Sequence, residues 1–200
     1  MPRYLVRLAN DETFSPKDVK SLQAKIRELL GSTEKIGNLR ISTNAIEFDL
    51  FGNQTELNKS KSLLESNISK IVTLRPLESS LPERSEDENL GEGIDLFNHE
   101  RFWEAHEVLE EIWHPATGVE RDIIQGLILT AAAFVHYQKN EETVCLSILR
   151  RARNKLGSHG HFRNLDIESL RGNIEEMLAD QIPKLVRIEW VRTKTHPPSS

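Results

Sequence analysis

Hydrophobic spacing changes character once along this chain, and that change limits the fold more than any other feature. Up to residue 75 the apolar side chains switch between period two and helical spacing; from residue 93 onward almost every pattern is helical. Tyr4, Val6 and Leu8 alternate as a strand, Ser15-Pro16 supplies a helix start, Val19, Leu22, Ile26 and Leu29 repeat at helical spacing, and Gly31 is placed to end that helix. Leu39 and Ile41, then Ile46, Phe48 and Leu50, predict a hairpin around Ser42-Thr43-Asn44, with Glu47 and Asp49 pointing outward. Leu57, Leu64, Ile68 and Ile71 mark a second helix, and Ile71 to Leu74 a last strand. The order βαββαβ is the split βαβ, or ferredoxin-like, arrangement. The predicted fold class is α+β, a ferredoxin-like domain over residues 1–75 followed by an all-α helical bundle.

Between residues 76 and 92 the apolar pattern fails in a stretch rich in Ser, Pro and acid, which reads as a flexible acidic linker. Helices are expected over residues 93–99, 101–113, 119–139, 141–156 and 166–179, joined by short connections, so the bundle domain occupies residues 93–182. In the tail, residues 183–200, Val186, Ile188 and Trp190 alternate and suggest an edge strand over 184–192, with residues 193–200 frayed.

Charge is distributed unevenly: residues 1–80 hold 12 basic and 10 acidic side chains, whereas residues 81–92 hold one and five. A generally basic nucleic-acid surface is therefore not expected, although residues 148–163 contain five Lys/Arg and no acid. No apolar run approaches the ~20 residues of a membrane span. The N-terminal sequence lacks a signal-peptide pattern, and the cytoplasm is the expected compartment. Cys145 is the only cysteine; its apolar neighbours give it the character of a small core residue, and it can form neither an internal disulfide nor a multi-cysteine zinc site.

The segment richest in chemistry is Phe102-Trp103-Glu104-Ala105-His106-Glu107-Val108-Leu109-Glu110-Glu111-Ile112-Trp113. On a helix, Phe102, Ala105, Leu109 and Ile112 form the core stripe, His106 and Trp113 border it, Glu110 lies one turn beyond His106, and Glu104, Glu107 and Glu111 line the far side. The next helix is apolar except along one stripe, Asp122, Gln125 and His136, with Thr130 apart from it. An antiparallel hairpin sets Gln125 level with Glu107 or His106 and Asp122 level with Glu110. Such a polar seam must be internally hydrogen-bonded or hold a ligand, because burying unpaired polar groups costs several kcal/mol, on the order of 2–7 each. The plainer reading is a core helix with a solvated acidic face and one boundary histidine.

That run, with Glu120-Arg121-Asp122 and Gln125-Gly126-Leu127-Ile128 after it, closely resembles the signature of the family catalogued as domain of unknown function 309, over residues 90–157. The resemblance implies an all-helical fold and directs attention to Glu104, His106, Glu107, Glu110, Trp113 and Gln125. It implies no activity. The first 75 residues resemble no family that we recognise.

Three functional classes follow. A binding or regulatory module uses the seam as a groove or network. An enzyme uses it as a metal or general acid/base site, with His106 and Glu110 as candidate metal ligands; Glu111-x-x-His114 has di-iron spacing, but the second such motif is missing. A nucleic-acid binder uses Arg150, Arg151, Arg153 and Lys155 as phosphate contacts, extended by His159, His161 and Arg163, against the alternative of a solvated helix end. RNA reading by the sheet would rest on Tyr4, Phe48 and Phe51, without the signature of RNA-recognition modules. The binding module is the favoured class. The sequence identifies no cofactor and no partner; a membrane partner is not expected, and homo-oligomerisation is compatible with it.

Overall fold

The computed structural model describes residues 2–11, 13–31, 36–77 and 84–191. It divides into two compact units, residues 1–83 with 135–141, and residues 84–134 with 142–200. The fold class is α+β, as expected.

The first unit runs β1 (Arg3–Ala9), α1 (Val19–Leu30), β2 (Ile36–Ile41), β3 (Ala45–Phe51), α2 (Gln54–Asn67) and β4 (Ile71–Pro76). Pro16 does not enter α1 directly but opens a single 3-10 turn, Pro16–Asp18, ahead of it, and Gly31 ends α1 as expected, in the left-handed conformation. The strands form one antiparallel sheet in the order β2-β3-β1-β4, with β1 pairing both β3 and β4. Period two then sorts the side chains. Val6, Leu8, Ile46, Phe48 and Leu50 pack with Val19, Leu22, Ile26 and Leu30 of α1 and with Leu57 and Leu64 of α2 in one core.

The alternate positions carry charges. Arg3 pairs with Asp49 at 2.7 Å, Arg7 with Glu47 at 3.0 Å and Arg40 with Glu47 at 3.5 Å. Glu47 and Asp49 point away from the helices as expected, yet they are only 5% and 1% exposed, so alternation located them correctly and misjudged their environment. Their burial is tolerated because each carboxylate meets a guanidinium. RNA reading by this sheet gains no support: Phe48 is in the core, Tyr4 packs against it and Phe51 is half-buried.

The second unit contains α3 (Glu86–Asn98), α4 (Phe102–Trp113), α5 (Gly118–Gln138, whose last four residues belong to the first unit), α6 (Glu142–Leu156), a two-residue hairpin β5 (His161–Phe162) and β6 (Leu165–Asp166), and α7 (Ile167–Asp180). Helix α3 begins seven residues before the expected start, inside the stretch read as linker. The cause is a capping box: the Ser85 side chain accepts from the Glu88 backbone N–H while the Glu88 carboxylate accepts from Ser85. Residues 78–83, the rest of that linker, and the end of the tail, residues 192–200, lie outside the described residues.

The core of this unit is an aromatic cluster, Phe97, Phe102 and Phe134, with ring centroids 4.9 to 5.6 Å apart. Among the described residues the expected edge strand over 184–192 does not form. Only a single bridge, Leu165 to Trp190, is present; Asn98 instead captures the segment by hydrogen-bonding both Ile188 backbone groups, and Ile188 is buried. Among the described residues no helix is long and apolar enough to cross a membrane.

Candidate functional site

Helix α4 buries Phe102, Ala105, Leu109 and Ile112, as its spacing predicts, and two residues outside that stripe, Val108 and Glu104. The burial of Glu104 has a local cause. Arg101, immediately before the helix, forks onto the Glu104 carboxylate with two bonds of 2.6 Å, so an acid expected to face water is neutralised and packed away. Glu107 is half-buried and Glu111 is exposed.

On the flank beside the core stripe, His106, Glu110 and Trp113 stand at i, i+4 and i+7, one above another. The His106 ring lies parallel to that of Trp103, with its Nδ1 3.8 Å from a Glu110 oxygen, beyond hydrogen-bond length. That Nδ1 is buried and without a hydrogen-bond partner, and so is Nε1 of Trp113.

Arg121 of α5 covers Trp113, with its guanidinium carbon 3.8 Å from the ring centroid. It also donates from one nitrogen to the Trp113, His114 and Ala116 carbonyls at 3.1 to 3.3 Å, closing the C-terminal end of α4 with a positive charge. Sequence reasoning passed over this residue, although it sits one helical turn before Gln125 and so shares its face.

The register of the helix pair differs from the expected one. Phe134 stacks on Phe102 and Arg121 on Trp113, which brings Gln125 level with Glu110 and not with Glu107 or His106. Gln125 is half-buried there. Asp122 does not face Glu110 at all; it is exposed and bound to Lys155 of α6 at 2.7 Å. His136, at the far end of α5, hydrogen-bonds Glu141 and does not join the seam. Thr130, the polar residue off the stripe, is fully buried and satisfies itself on the Gly126 carbonyl at 2.8 Å.

The expected seam therefore contracts to His106, Glu110, Trp113, Arg121 and Gln125. Its imidazole and carboxylate supply two potential metal ligands, and among the described residues no group of three or more His, Cys, Asp or Glu side chains is placed to hold a metal ion. Residues 90–148 match the model of a family described as Domain of unknown function (DUF309). The matched stretch runs from within α3 to within α6 and thus contains every member of this polar stripe. No curated protein and no solved structure matches the chain.

Outside the DUF309 match, the basic segment is less basic in space than in sequence. Arg150 and Arg151 are exposed, but Arg153 pairs with Glu175 at 2.9 Å and Lys155 with Asp122. Arg163 meets Glu86, Asp87 and Glu120, and the hydrogen bond to Glu86, followed by that to Glu120, holds its guanidinium above the ordinary value. It occupies the β5–β6 turn beside Asn164, both residues at positive φ, 44° and 68°. A turn between strands of two residues has no periodicity to announce it, which is why it was not foreseen.

Proposed function

We propose that the helical unit is a binding module that takes its ligand on the stripe formed by His106, Glu110 and Trp113 of α4 with Arg121 and Gln125 of α5, while residues 1–75, of ferredoxin-like strand order, supply a second surface for a partner. The observation that carries this reading is the pair of buried nitrogens without partners, His106 Nδ1 and Trp113 Nε1, on a single flank of one helix. A buried polar group left unmet costs about 1–3 kcal/mol. Polar groups around them are met: Glu104 by Arg101, Thr130 by a carbonyl one turn back, Arg121 by three carbonyls. A network serving only to lock two helices together has no use for two unmet members, whereas a recognition site holds polar atoms ready for a ligand's hydrogen bonds. Binding is favoured over catalysis because the stripe contains an imidazole and a carboxylate but no Ser, Thr or Cys nucleophile.

The test is native mass spectrometry with elemental analysis of the purified chain, alongside Trp113→Phe, which removes the N–H and keeps a ring under Arg121. A retained mass that Trp113→Phe releases, in a variant at least as stable as the parent by urea unfolding, is the expected result. A parent that carries nothing, together with a stabilised Trp113→Phe, assigns the nitrogen to packing and ends the proposal.

A further inference from the structure

The corner between α6 and α7 holds a surface cavity of about 390 Å3 lined by Arg153, Asn154, Gly157, Ser158, Arg171 and Glu175. Gly157, at φ +59°, turns the chain as α6 ends, a conformation that a side chain rarely adopts. Arg171 on α7 donates from one terminal nitrogen to the carbonyls of Gly157 and His159, at 3.1 and 3.0 Å. Arg153, on the last turn of α6, donates from Nε to Glu175 at 2.9 Å, and Glu175 lies one turn beyond Arg171 on α7. Each guanidinium is thus oriented through one of its nitrogens, and among the described residues the others meet no partner. Asn154 and Ser158 also line the cavity and bring an amide and a hydroxyl to its rim. Two cations face one anion.

We propose that this cavity binds a phosphate monoester group carried by a small molecule, independently of the stripe on α4 and α5. Two forks and two neutral donors exceed what the two oxygens of a carboxylate can use, and match the three terminal oxygens and roughly −1.5 to −2 charge of a phosphate monoester. Guanidiniums already fixed by the protein lose less freedom on binding than mobile ones. The volume is that of a small-ligand pocket. A polymer backbone needs a continuous basic track, and beyond the exposed Arg150 and Arg151 the other cations of this segment, Lys155 and Arg163, are spent on Asp122, Glu86, Asp87 and Glu120. Glu175 keeps its bond to Nε of Arg153 while its negative charge opposes that of the phosphate, so Glu175 orients the site and limits its affinity.

The experiment is calorimetric titration of the full chain with inorganic phosphate and with phosphoserine, using acetate as the carboxylate control and a single-stranded ten-nucleotide RNA as the polymer control. Both phosphate probes saturate, acetate does not, Arg153→Gln weakens binding about tenfold or more, and Glu175→Gln tightens it. Arg151→Gln removes the same charge from the same helix outside the cavity and leaves affinity unchanged. The Arg153–Glu175 pair is exposed and contributes little to stability, so these variants keep their melting curves. Absence of saturation, or equal losses in Arg153→Gln and Arg151→Gln, overturns the site, as does RNA binding without phosphate binding.

Discussion

Cys145 has no exposed surface, and burial, reinforced by the nearby Glu142 carboxylate, pushes its thiol up to about 12. At pH 8 the thiolate is then on the order of one part in ten thousand. Iodoacetamide should leave the native chain unlabelled over an hour and label it fully in denaturant; labelling at the rate of a free thiol would place Cys145 outside the core. The apolar neighbours made this residue legible from sequence. Gly126 was legible only as half of a Gln-Gly pair, because its constraint comes from a residue thirty positions away. A Cβ at Gly126 would stand 2.6 and 2.8 Å from the Leu156 side chain and 3.1 Å from the Leu156 backbone nitrogen. Alanine gains about 1 kcal/mol of helix propensity there, and overpacking costs about 1–3 kcal/mol. Leu156 is fully buried and cannot swing aside, so overpacking toward the upper end of that range prevails and Gly126→Ala is destabilising by up to ~2 kcal/mol in urea unfolding. Gly91 in α3 has nothing within 4 Å of a Cβ, and Gly91→Ala should stabilise by about 0.5–1 kcal/mol.

Helix starts proved as informative as helix periods. Three of them place an acid where a serine holds it: Asp18 with Ser15, Glu88 with Ser85 and Asp166 with Ser169. In each case hydrogen bonds from the serine backbone N–H and hydroxyl lower the carboxyl below its ordinary value. Because the folded-state value is the lower one, the stabilisation is fully present above the unfolded value, 4.5 for Glu88, and fades as pH falls through the folded value. The urea midpoint should therefore drop between pH 5 and pH 3, and Glu88→Gln, which cannot titrate, should show a shallower drop; identical slopes would remove Glu88 from the acid response. Ser85-x-x-Glu88 was readable as a cap, but the surrounding Ser, Pro and acid read as linker first, since composition over a dozen residues outweighs a four-residue motif. The pairing of α4 with α5 was readable in direction and not in register. Loop length fixes which helices are neighbours, whereas the contacts of Phe134 and Arg121 fix the offset, and neither residue carries a sequence signal for its partner.

Across the whole molecule, element order was legible wherever a strand or helix is long enough to carry its own period, which the two-residue strands β5 and β6 are not, and the four-stranded antiparallel sheet follows from that order. Electrostatics was not, since charges distant in sequence neutralise one another in space. The chain carries a net −5, and its one acid-free basic run, residues 148–163, receives carboxylates from three other helices: Glu86 and Asp87 of α3, Glu120 and Asp122 of α5, and Glu175 of α7. Nucleic-acid affinity grows with the number of phosphates neutralised, and each paired cation contributes less to that number. Single-stranded RNA should accordingly bind with a Kd above about 10⁻⁴ M at physiological salt, the weak limit of non-specific binding. Replacing Glu86, Asp87 and Glu120 by their amides releases Arg163, and the variant should bind RNA measurably, with affinity falling as salt rises. Tight, salt-dependent binding by the parent chain would show that the exposed Arg150 and Arg151 suffice, and the pairing of Arg153, Lys155 and Arg163 would then have no bearing on nucleic acid.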